Sequence, residues 1–130
     1  MEIRAAAEDY LETILVLTKK QGKVRSVDIA NYMNYSKPTI SVFMKQLREN
    51  GYIEMDGGGY IALTEKGAEI AGRTYERHNI LAKFLMGLGV DEETAYEDSC
   101  KIEHVISEKS INCIRSVLYP WIKNDDLREV

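Results

Sequence analysis

Residues 26–50 read SVDIANYMNYSKPTISVFMKQLREN, and the expected fold follows from how this stretch is punctuated. Ser26 is a capping residue for a short helix to Met33, with Val27, Ile29, Ala30 and Met33 turned inward, and Asn34 and Tyr35 then form a tight turn. Ser36 followed by Pro38 places a cap just ahead of a proline in a first helical turn. There its missing N–H costs nothing, and a second helix opens toward Asn50. Ile40, Phe43, Met44 and Leu47 recur at helical spacing as its inward face. Two helices joined this closely make a helix-turn-helix, whose second helix enters the DNA major groove.

On the N-terminal side, Ala5 to Lys20 carries Ala7, Tyr10, Leu11, Ile14, Leu17 and Thr18 as one apolar stripe, and Gly22 ends that helix. On the C-terminal side, Gly51 stops the second helix of the pair. Tyr52-Ile53-Glu54-Met55 and Tyr60-Ile61-Ala62-Leu63 then form a hairpin around Asp56-Gly57-Gly58-Gly59. Helix, helix-turn-helix and ribbon in this order predict a winged helix-turn-helix with a two-stranded wing. A long helix follows from Thr64 through His78 to about Met86, broken by Gly87 and Gly89. Asp91 to Ser107 and Ser110 to Leu118 read as two more helices, and the acidic tail after Trp121 is expected to fray. The expectation is a mainly α chain: residues 1–72 a winged helix-turn-helix DNA-binding domain, residues 73–130 a helical second domain.

A chain of 130 residues with 45% hydrophobic and 29% charged residues has ordinary globular composition. Its two cysteines, Cys100 and Cys113, make no disulfide framework and fit a reducing cytoplasm, Cys113 reading as a packing residue. No apolar run reaches the roughly 18 residues of a membrane span, so a soluble protein without membrane partners is expected. The net charge of -4 hides an uneven distribution. Lys19, Lys20, Lys23, Arg25, Lys37, Lys45 and Arg48 face only Asp28 across residues 19–48, whereas residues 76–130 carry eleven acids and seven bases. A basic segment coinciding with a helix-turn-helix is a phosphate-facing surface.

The residues able to read DNA sit at the exposed start of the second helix. Ser36, Lys37, Thr39 and Ser41 can reach base edges or phosphates, and Val42 a thymine methyl. Lys45 and Arg48 reach the backbone, and Arg25 and Pro38 complete the candidate DNA face. The ribbon carries no base, which leaves a minor-groove contact by the wing open.

A second set of residues suits metal. Asp9 and Glu12, three apart on the first helix, share a face turned from its apolar stripe. In the stretch 91–107, Ile102, Val105 and Ile106 mark a buried stripe, and Cys100, Glu103 and His104 fall at i, i+3 and i+4 on the other side. Thiolate, carboxylate and imidazole together suit Fe(II), Mn(II), Co(II) or Zn(II), and suit Ca or Mg poorly. His78 flanks the apolar stripe of the long helix and is the other histidine of the chain.

The run SVDIANYMNYSKPTISVFMKQLRENGYI, the run LTEKGAEIAGRTYERHNILAKFL and the segment GVDEETAYEDSCKIEHVIS together resemble the metal-dependent repressors of the diphtheria toxin repressor family. The likeness is greatest to its short, two-domain manganese-regulator branch. It implies a homodimeric transcriptional repressor that binds operator DNA when loaded with a divalent transition metal and so controls metal homeostasis. It also implies Asp9, Glu12, His78, Cys100, Glu103 and His104 as ligands. Manganese-selective members carry a glutamate at the position of Cys100 and iron-responsive members a cysteine, yet the iron branch has methionine where this chain has Asp9. The implied site is therefore a hybrid, and a thiolate bridges two hard ions less readily than a carboxylate.

Two rival readings remain at this level. An enzyme is disfavoured, because no H-E-x-x-H, no Gly-rich phosphate loop and no nucleophile elbow occurs. The other rival is a winged-helix regulator that senses a small organic ligand or the oxidation of Cys100.

Overall fold

The computed structural model describes residues 5–118; the tail after Trp121 lies outside them. The elements run α1 (Ala5–Gln21), β1 (Val24–Arg25), α2 (Ser26–Met33), α3 (Lys37–Glu49), β2 (Ile53–Met55), β3 (Tyr60–Leu63), α4 (Glu65–Gly87), α5 (Glu92–Ile102) and α6 (Glu108–Leu118). The chain divides into two compact units at Arg73/Thr74.

The first unit has one core, built where α1, α2 and α3 turn their apolar stripes together over a small sheet. Leu11, Ile14, Ile29, Ile40, Leu47 and Val24 are fully buried in it. Each such side chain contributes about 1.5–3 kcal/mol relative to an exposed one. Gly22, in the left-handed region at φ 82°, ends α1 with its N–H on the Thr18 carbonyl at 2.9 Å. Thr18 falls outside the buried stripe expected of it, its hydroxyl donating to the Ile14 carbonyl at 2.7 Å. Asn34, at φ 59°, makes the turn between α2 and α3 as its sequence position predicts. Ser36 caps α3, its Oγ accepting from the Thr39 N–H at 3.3 Å, with Pro38 in the first turn.

Three further details of this unit differ from the sequence expectation. The cap of α2 is Arg25 rather than Ser26, because Asp28 reaches back to accept the Arg25 N–H at 2.9 Å and draws the helix start one residue earlier. Val27, expected inward, lies at the surface, whereas Ile29 and Ala30 are buried. The sheet has a third strand as well, in the order β1-β3-β2 and antiparallel throughout, with Arg25 opposite Tyr60 and Glu54 opposite Ala62. The hairpin turn is held by Asp56, whose Oδ1 accepts from the Gly58 N–H at 2.9 Å and the Tyr60 N–H at 3.0 Å.

The second unit packs the C-terminal part of α4 with α5 and α6. Ile80, Leu81, Ile111 and Leu118 form its core, with Phe84, Ile102, Ile106 and Ile114 against them. Asp91 caps α5 by accepting the Thr94 N–H at 3.0 Å. That bond, and a further one from the Thr94 side chain, hold the Asp91 carboxyl below its ordinary pKa. The helix expected over residues 91–107 ends at Ile102, and residues 103–105 form a turn. The physical reason is Ser107, whose Oγ accepts the Ser110 N–H at 3.1 Å and so starts α6 at Glu108, leaving too few residues to continue α5. Cys113, expected to pack, is exposed on α6.

Candidate functional site

The candidate DNA-facing surface is laid out by the phase of α3. Ile40, Met44 and Leu47 point into the core, and Ser36, Lys37, Pro38, Thr39, Ser41, Val42, Lys45 and Arg48 are all exposed. Tyr10 of α1 stacks on Phe43 with ring centroids 4.3 Å apart, fixing the α3 axis against α1. Burial, then the nearby Tyr35 and Asp9, raise the Tyr10 pKa above its ordinary value. The Ser36 hydroxyl lies 2.8 Å from that of Thr39, so these two side chains hold each other and the helix start together. Val42, at 58% exposure, is an apolar side chain left on a polar helix face, as a methyl-reading residue requires. Arg48 is oriented by a contact of its Nη1 with the Met55 sulfur at 3.8 Å.

The candidate metal ligands occupy both units, and each group has its own surroundings. In the first unit Asp9 is half-buried and Glu12 is 8% exposed. The polar side of α1 is therefore not an open face. Tyr10, Leu11, Glu12, Thr13 and Ile14 are buried in succession, and a helix covered through more than a full turn has no solvent side there.

In the second unit α4 supplies His78, the end of α5 supplies Cys100, and the turn beyond supplies Glu103 and His104. Glu103 is the C-cap of α5, still helical in its torsions and donating its N–H to the Ser99 carbonyl at 3.0 Å, and His104 follows it in the turn. Val105 is not buried, at 84% exposure, whereas Glu103 is 4% exposed. Ile102 and Ile106 keep their places against the core, and only Val105 leaves the expected stripe. Ligand atoms of His78 and Glu103 lie within 4.8 Å of one another, as do those of Cys100 and Glu103. The His104 Nε2 is 3.7 Å from the Glu103 Oε1. The His78 Nε2 is 3.1 Å from the Tyr96 carbonyl, with the Tyr96 ring edge-on to the imidazole at 5.6 Å. A carboxylate at this depth needs positive charge or donors around it. Imidazole, thiol and carboxylate this close are a borderline-metal donor set, so the residues present fit a divalent transition ion.

Arg77 escaped the sequence reading. Its guanidinium donates to the Ile106 carbonyl through Nη2 and to the Glu108 carboxylate through Nη1 at 3.3 Å, so it ties α4 to the segment following Glu103 and His104. Its place directly before His78 was the available signal.

The fold and the donor set together define a class: a DNA-binding protein with a winged helix-turn-helix followed by a helical domain furnished for a metal. Comparison with known proteins agrees in both parts. Residues 2–59 match the N-terminal DNA binding domain of the iron dependent repressors, and residues 64–120 match their metal binding and dimerisation domain. The chain belongs to the iron-dependent repressor family. It is 37% identical over 112 residues to the transcriptional regulator MntR of Escherichia coli O157:H7, covering 86% of this chain and 72% of that one. To the HTH-type transcriptional regulator MntR of Bacillus subtilis (strain 168) it is 34% identical over 122 residues, covering 94% and 85%. Among solved structures it superposes on a manganese-dependent transcriptional repressor in complex with manganese at a TM-score of 0.79 and 28% identity, covering 86% of this chain and 52% of that one. The manganese regulator SloR gives a TM-score of 0.77 at 28% identity, covering 91% and 54%. The chain thus spans about half the length of these solved relatives. Its family is one of non-enzymatic transcriptional regulators, and no described helix is long and apolar enough to cross a membrane.

Proposed function

We propose that this chain is a metal-dependent repressor that acts as a homodimer on operator DNA, with Asp9, Glu12, His78, Cys100, Glu103 and His104 as its metal ligands. The observation that carries the ligand assignment is the buried Glu103 carboxylate with the His78 and Cys100 ligand atoms each within 4.8 Å of it. When bound, a divalent cation supplies the positive charge that lets several carboxylates share a dry site. The α1 acids Asp9 and Glu12 offer hard oxygen donors and His78, Cys100 and His104 softer ones, donor types that a borderline divalent ion accepts. Asp9 and Glu12 precede the helix-turn-helix in sequence, so fixing their carboxylates restricts the helix on which α2 and α3 pack. In a two-fold dimer the paired α3 helices must stand about 34 Å apart, or a multiple of that, to meet successive major grooves.

Linkage then requires that operator DNA tighten metal binding by the same factor by which metal tightens DNA binding, a coupling of about 1–3 kcal/mol. Among candidate ions we favour Mn(II) and Fe(II), with Co(II) and Zn(II) also matching the donors. Manganese is supported by the relatives named above and iron by the thiol of Cys100. The test is anisotropy titration of a candidate operator with each of these four ions, for wild type, Glu103→Ala, His104→Ala and Cys100→Glu. Expected are loss of metal stimulation in the two alanine variants with fold and dimer intact, and a changed metal preference in Cys100→Glu. Stimulation that survives Glu103→Ala or His104→Ala contradicts the ligand assignment. A preference untouched by Cys100→Glu removes Cys100 from it. The rival reading, a sensor of thiol oxidation, requires peroxide rather than chelator to abolish binding.

A further inference from the structure

The wing carries Glu54 and Asp56 and no Lys or Arg between Arg48 and Lys66, so by charge alone it is repelled by a phosphodiester. The third strand, β1, changes that balance. Val24 is buried, so the alternation of a strand sends Lys23 and Arg25 to the opposite, open side, and both are exposed. Pairing places Arg25 opposite Tyr60, the first residue of β3 after the wing turn. The Arg25 guanidinium carbon lies 4.3 Å from the Tyr60 ring centroid and the Lys23 ammonium 4.9 Å from it. Two cations therefore share one aromatic ring, and among the described residues neither makes an ion pair.

An aromatic face holds a cation in place while leaving its outer side free for an anion. Tyr60 is itself positioned by Asp56, which accepts its N–H and that of Gly58. Arg25 is also the residue that caps α2, at the positive end of that helix's dipole. Positive charge, helix start and aromatic platform thus coincide beside the helix-turn-helix, on a surface the wing's own sequence would not supply.

We propose that Lys23 and Arg25, held by the Tyr60 ring, form a DNA-backbone contact that flanks the groove read by α3, with Tyr60 as its positioning residue. The contact is sequence-independent, and it rests on DNA binding by the N-terminal domain but not on the metal ligands proposed above.

The experiment is anisotropy titration of the full chain with a random-sequence duplex across about 50 to 200 mM salt, with and without Mn(II). Lys23→Gln and Arg25→Gln are each expected to flatten the slope of log affinity against log salt by about 0.9 for each phosphate no longer neutralised. Tyr60→Leu, which keeps apolar bulk, is expected to weaken binding by about 2- to 5-fold, and Tyr60→Phe and Tyr60→Trp to retain wild-type affinity, because the ring face rather than the hydroxyl holds the cations. In the Tyr60→Leu background Lys23→Gln should have much less effect than it has in wild type, a non-additivity that general loosening of the wing would not produce. An unchanged salt slope in both Gln variants overturns the proposal, and so does strict additivity of Tyr60→Leu with Lys23→Gln. Absence of any Mn(II) dependence would count against the metal reading alone, since these slopes are read in both conditions.

Discussion

Gly67 and Gly72 stand on the same helix, yet alanine substitutions at the two positions should shift stability in opposite directions. A Cβ on Gly67 would lie 2.0 Å from the Tyr52 carbonyl oxygen and 3.0 Å from its carbon, against about 3.5 Å for heavy atoms in comfortable contact. The Tyr52 carbonyl cannot simply retreat, because it accepts the Thr64 N–H at 3.1 Å. Thr64 in turn caps α4 through its Oγ1 on the Gly67 N–H at 3.1 Å. Overpacking of this kind costs about 1–3 kcal/mol, and breaking the Thr64–Tyr52 bond about 1 kcal/mol more. Alanine's helix preference returns about 1 kcal/mol. The net for Gly67→Ala is a destabilisation of about 2 kcal/mol, or some 8–16 °C of Tm for a lobe of this size unfolding on its own. Gly72 has nothing within 4 Å of the same added carbon, so only the helix preference remains, and Gly72→Ala should raise Tm by a few degrees. Thermal and urea unfolding followed by circular dichroism, with both variants in one buffer, decide the matter. If Gly67→Ala proves as stable as Gly72→Ala, the close approach of α4 to Tyr52 is not as described.

Three further outcomes follow from particular contacts. Ser36→Ala removes the cap of α3 and should lower the stability of the first unit by about 1 kcal/mol in urea titration, while Ser36→Asp, another good cap, should largely preserve it. The Asp91 carboxyl has a folded pKa below its unfolded one, so its contribution is present above the ordinary carboxylate range and is lost as pH falls through the folded value. Acid unfolding of Asp91→Asn should therefore show a shallower loss of stability below about pH 4 than wild type. Arg77→Gln abolishes the guanidinium bonds to the Ile106 carbonyl and Glu108, so amide exchange at Val105 to Ser107 should quicken and Mn(II) affinity should fall several-fold, with Arg77→Lys intermediate.

The reading head was legible in sequence because each of its boundaries has a chemical marker. Ser36 and Pro38 open α3, Asn34 and Gly51 supply left-handed backbone at the turn and the stop, and the phase of Ile40, Met44 and Leu47 leaves one face for DNA. The strand Val24–Arg25 was not legible, since two residues carry no periodicity and only pairing with β3 defines them. The end of α5 was misread for a different reason. Ile102, Val105 and Ile106 keep helical spacing, and the competing start of α6 at the Ser107 cap is a tertiary choice between two local signals. The acidic residues on α1 and after α5 could be picked out as candidate ligands by type and spacing. The burial of Glu12 and Glu103 could not, because side-chain identity alone assigns a carboxylate to solvent.

The end of α5 at Ile102 separates the proposed ligands into two mechanical kinds. Cys100 and His78 ride on helical backbone, where any displacement must be shared by a ladder of hydrogen bonds, while Glu103 sits at the last rung of that ladder and His104 hangs from the turn beyond it, whose torsions can change one at a time. Substitutions among residues 103–107 can accordingly retune the span between donors, and with it the ionic radius best accommodated, without unwinding either helix. Adaptation of such a sensor to a new supply of ions would be written first in that short stretch.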